Sequence, residues 1–147
     1  MKQPIHGHMM RHVILRVVAK LIIPYILLFA LYVQFHGDFS PGGGFQAGVI
    51  FAAGIILYVL IFGLESARGI ASPRLVEVCL ALGLLLYAGV GFLCLFRGGN
   101  YLDYGVLAHE PHHGQHLGIL WIEIGVGVTV AAAMILLFLA FTNRSHR

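Results

Sequence analysis

Charge is what this chain has least of. Asp, Glu, Lys and Arg make up 10% of its 147 residues, where a soluble domain carries about a quarter. That scarcity, with 59% apolar residues and a mean hydropathy of +0.90, excludes a disordered chain and an ordinary water-soluble enzyme. Cysteine is nearly absent too. Cys79 and Cys94 share one apolar stretch, and a helix would hold them about 22 Å apart, too far for a disulfide. They read as buried, inert thiols. The net charge is +3, yet no dense basic stripe or RNA-binding signature appears, so nucleic acid is not an expected partner. No small-residue cleavage pattern follows the first apolar run, Leu21 to Phe35, so a retained helix is expected there rather than a signal peptide.

What the chain does have is four long apolar runs, at about 13–35, 46–64, 75–96 and 117–141. A membrane helix takes about 20 such residues to cross a hydrocarbon core about 30 Å thick. The expected fold is therefore all-α: one integral membrane domain over 1–147 with four transmembrane helices. Gly42-Gly43-Gly44, Ser72-Pro73 and a polar, histidine-rich outward loop at 97–116 punctuate the runs. Ser72 can cap the third helix with Pro73 at its first position, where a missing N–H costs nothing. Pro24, inside the first helix, cannot donate to the Lys20 carbonyl, and a kink is expected there. Lys2, Arg11, Arg16, Lys20, Arg68, Arg74, Arg144 and Arg147 fall on one side of these spans and only Arg97 on the other. By the excess of positive charge on cytoplasmic segments, both termini should be cytoplasmic. Trp121, just inside the fourth run, suits an interfacial anchor.

The distinctive local string runs from His36 to Gly48 and contains Pro41-Gly42-Gly43-Gly44-Phe45. Its glycine spacing fits neither a dinucleotide fingerprint nor a phosphate loop. A tight turn leading into a packing face explains it, because Gly44, Gly48 and Ala52 follow at four-residue intervals, as do Gly125, Thr129 and Ala133 in the fourth run. An ion-coordinating turn of exposed carbonyls is the functional alternative. Glu123 is the one acid well inside an apolar run. An acid at that depth is costly unless paired or facing water, which makes it a candidate for the ion pathway as well as for a structural hydrogen bond. Glu77 has a positional explanation near a helix N-terminus, and Lys20 can snorkel to the cytoplasmic surface or pair with Glu77 across helices. His109, His112, His113 and His116 read as a solvated loop rather than a metal site, since Pro111 and Gly114 interrupt them and no cysteine joins them. No catalytic constellation, metal site or cofactor site is expected, and the chain reads as nonenzymatic.

These residues resemble a known family. Ile14-Leu15-Arg16, Lys20 to Pro24, His36-Gly37 and Ser40 to Gly48 look like the B subunit of Mrp-type multisubunit cation/proton antiporters, the MnhB/MrpB family. Gly99 to Tyr104 and Gly114 to Gly127 agree. The resemblance implies a multi-pass subunit of a bacterial inner-membrane complex that exchanges Na+ for protons. Its implied partners are the large antiporter-like subunits, the other small membrane subunits and lipid. It also implies an acid where this chain has Glu123. Membrane-bound hydrogenase-type complexes carry similar subunits, and a self-sufficient homo-oligomeric carrier is a further alternative.

Overall fold

The structure, a computed structural model, describes the backbone of residues 5–37 and 42–145 and the side chains of 13–37, 42–66 and 69–142. Among the described residues it is entirely helix and connection: α1 (Ile5–Phe35), α2 (Gly44–Phe62), a short α3 (Leu64–Arg68), α4 (Pro73–Phe96), a 3-10 turn (Tyr104–Leu107) and α5 (Pro111–Ser145). Four stretches are long and apolar enough to cross a bilayer: Val13–Phe35, Gly44–Phe62, Pro73–Phe96 and Pro111–Thr142. Their mean hydropathies are 2.3, 2.3, 2.4 and 2.6, and that uniform apolarity is what the few charges in the sequence foretell.

Local chemistry sets the helix ends. Ser72 accepts a 3.3 Å hydrogen bond from the Leu75 N–H while Pro73 opens α4, the expected cap. Gly63, at φ +90°, ends α2 and hands the chain to α3. α1 continues through Pro24 as one helix.

α5 differs from expectation at its N-terminal end. It begins at Pro111, so His112, His113 and His116 lie on a helix and not in a loop. Proline is favoured at the first helical position. Gly114 is needed because a Cβ there would strike the Tyr104 carbonyl, and Gly118 because one would strike the Tyr104 ring. The 3-10 turn thus docks against the first turns of α5. Arg97 holds the turn from the other side, donating from a guanidinium nitrogen to the Leu107 carbonyl at 3.0 Å. Burial is the main cause pushing the Tyr104 hydroxyl above its ordinary value, with Tyr87, Cys94 and Tyr101 adding to it.

The spanning helices pack as a row in the order α1, α2, α5, α4. Small residues make the crossings. Gly48 meets the Gly127 carbonyl between α2 and α5, and Gly83 meets the Gly125 carbonyl between α4 and α5. Ala52, Val76, Ala132, Ile135 and Leu139 form the core where α2, α4 and α5 converge. Large side chains point outward instead: Leu21, Leu28, Leu60 and Leu85 are each more than 60% exposed. A water-soluble protein does not tolerate so continuous an apolar surface, whereas lipid and neighbouring subunits cover it without penalty. Cys94 is buried and Cys79 half-buried, and both are free thiols.

Candidate functional site

The α1–α2 turn and the middle of α5 meet at one place. Gly43 precedes α2 with φ +124°, a conformation that a side chain resists. Gly44, the first residue of α2, lies so close to α5 that a Cβ on it would run into the backbone carbonyl of Glu123. The Glu123 carboxylate itself turns toward the turn. A Cβ at Gly37 would stand 2.9 Å from both of its oxygens, and one at Gly43 would stand 2.9 Å from Oε1. Bare backbone on two glycines is therefore what admits this carboxylate.

The electrostatics of the spot favour an anion. Gly43 carries no capping side chain, so no side chain of the N-cap residue covers the first N–H groups of α2. The positive end of the helix dipole lies there, beside the carboxylate. One turn deeper on α5, Gly127 leaves room for Gln34 of α1, whose Oε1 would be 2.5 Å from a Cβ at that position. Gln34 is 8% exposed, and it is the buried polar residue of this bundle among the described residues. In the sequence it looks like part of a helix emerging into water, at the end of the first apolar run. A lone amide two residues before the outward string was the available signal.

The motif residues divide. Gly43, Gly44 and Gly48 line the approach of α2 to α5, with Gly44 and Gly48 buried against α5, and Gly42 precedes them half-buried. Phe45 points away and is 63% exposed. Pro41 and Asp38 lie outside the described residues.

The three candidate ion-pathway residues do not converge. Lys20 is on α1, about 22 Å along the helix from its C-terminal end. Its Nζ lies 5.9 Å from the centre of the Phe62 ring at the far end of α2. Glu77 stands exposed in the first turns of α4, and no ion pair joins it to Lys20. Glu123 is at the opposite end of the bundle, with the glycines. Small and apolar residues fill the interior between these ends.

Among the described residues no three His, Cys, Asp or Glu side chains come together as metal ligands would. His112, His113 and His116 share the first turns of α5 without forming such a group, and His109 lies in the bend before it.

Comparison with known proteins agrees with this architecture. The family model described as "Domain related to MnhB subunit of Na+/H+ antiporter" matches residues 14–136. That interval includes the turn, Gln34 and Glu123. Among relatives, the "Putative antiporter subunit mnhB2" proteins of Staphylococcus aureus strains Newman and USA300 are each 33% identical over 132 residues, covering 83% of this chain and 93% of theirs. With the match spanning four helices and the turn between the first two, the chain belongs to the MnhB family of Na+/H+ antiporter subunits.

Proposed function

We propose that this chain is a multi-pass plasma-membrane subunit of a bacterial multisubunit Na+/H+ antiporter. In this reading it works by assembly and by presenting Glu123 to an ion path that neighbouring subunits complete. The observation that carries it is the seat of Glu123: an acid in an apolar span, its carboxylate against Gly37 and Gly43, within a chain whose family is that of antiporter subunits. Between Glu123 and the distant Lys20 and Glu77 the core is apolar, and apart from Gln34 the described residues offer no string of polar groups such as ion passage requires. The crossing path is accordingly assigned to the interface with the large antiporter-like subunits. Transport, not catalysis, is the activity, and Na+ and H+ are its ions. Lys20 and Glu77 are assigned to the membrane surface, with both termini cytoplasmic, on the strength of the basic residues gathered on that side.

The test is Glu123→Gln in the full set of subunits, expressed in a host without its own Na+/H+ antiporters. The expected result is an assembled complex whose Na+-dependent proton flux in membrane vesicles falls about tenfold, the worth of one charge-assisted interaction. Wild-type flux from the assembled variant would remove Glu123 from the path.

A further inference from the structure

Beside the Glu123 seat the row of helices leaves a groove of about 480 Å³. It is bounded by the outer turn of α1, by α2 and α5 along its floor, and by the start of α4 at its other end. On α5 it runs from Ile124 to Ile135, about 16 Å or three helical turns. Its floor is made of small residues, among them Ala47, Gly48, Gly127 and Ala131. Small floors of this kind let a second backbone approach closely.

One wall is different in kind. Gln34 lines the groove, is more than nine-tenths buried, and its Nε2 has no hydrogen-bond partner among the described residues. The hydrocarbon region has no water to satisfy such a donor, and an acyl chain offers it no acceptor. A helix bearing a serine, threonine or asparagine oxygen, or a carbonyl freed at a helix break, satisfies both the shape and the amide.

We propose that this groove is the docking site for a transmembrane helix of another subunit of the same antiporter, and that Gln34 donates a hydrogen bond to an oxygen on that helix. The proposal rests on the antiporter-subunit reading and adds to it the contact face and the chemistry of the partner.

The experiment uses all subunits of the antiporter expressed together. A photo-reactive amino acid replaces Val128 or Leu31, groove-lining residues that are 38% and 48% exposed and so tolerate change. After irradiation in the membrane, both positions should cross-link to one and the same other antiporter subunit, with the site in an apolar helix. Separately, Gln34→Leu should lower the share of chain found in the intact complex about threefold or more, because an interhelical hydrogen bond is lost. Cross-links only to lipid, only to a second copy of this chain, or undiminished assembly of Gln34→Leu would each overturn the docking proposal. If Gln34→Leu fails to accumulate in the membrane, the cross-linking decides alone. Should the wild-type chain fail to copurify with any antiporter subunit, it is the antiporter reading that falls instead.

Discussion

Glu123 and the glycines facing it divide the work of the site between charge and space. The carboxylate is admitted by Gly37 and Gly43, and the backbone of α5 by Gly44. Gly44→Ala therefore forces a methyl against a carbonyl that cannot move without moving α5. The expected cost is about 1–3 kcal/mol, read as a lowered thermal midpoint in detergent and a lower complex yield; a midpoint equal to wild type would contradict the close approach. Gly43→Val should impair assembly further, since it adds a β-branched side chain at φ +124°. Gly89 supplies the contrast. Nothing lies within 4 Å of a Cβ there, so Gly89→Ala should leave stability unchanged or raise it by up to about 1 kcal/mol through helix propensity. At this scale the sequence was half readable. Glu123 and the glycine string each stood out by their oddity in an apolar chain. Their contact did not, because spacing of about eighty residues carries no information on which turn of α5 faces the α1–α2 connection. Gln34 was missed for a related reason: near the end of a span a polar residue looks like an exit into water, and only the neighbouring helices reveal it as enclosed.

The elements follow from apolar length and from their end signals. α2 and α4 begin and end within about two residues of the expected runs because Ser72-Pro73, Gly63 and the triple glycine act locally, whereas α1 reaches back to Ile5. The N-terminal end of α5 was not legible, since Pro111 and Gly114 look like breakers until the 3-10 turn is seen packed on them. That packing has a pH signature. Tyr104 is neutral in its half-buried seat and resists ionisation there, whereas in the unfolded chain it ionises near 10.0. Its contribution to stability is complete below that pH and is lost as the pH rises above it. Thermal melts should show an alkaline decline setting in above about pH 10, and Tyr104→Phe should make that decline shallower. An identical decline in both would contradict the packing of Tyr104 on α5. Ser72→Ala, which removes the cap of α4, should cost about 1 kcal/mol.

As a whole the molecule is a row of helices with little interior of its own. Its core is small, built from alanines and glycines with a few residues such as Val76, Ile135 and Leu139, while many of its leucines and phenylalanines face outward. Such a chain finds its stability in lipid and in company, which accords with the antiporter-subunit family and with a groove that still holds an unsatisfied amide. The helical class, the number of spans and the family were legible from composition, run length and the glycine string. The order of the helices in the row was not, because small-residue faces stood out only on the second and fourth runs and did not say which helix each of them meets. The most direct measurement omits this chain alone from a full set of antiporter subunits, in a host lacking other Na+/H+ antiporters, and follows Na+-driven proton flux in membrane vesicles together with complex size on native gels. Loss of flux with an incomplete complex is the expected result, restored when the chain is supplied in trans; full flux from a complex of unchanged size would contradict its role as an antiporter subunit.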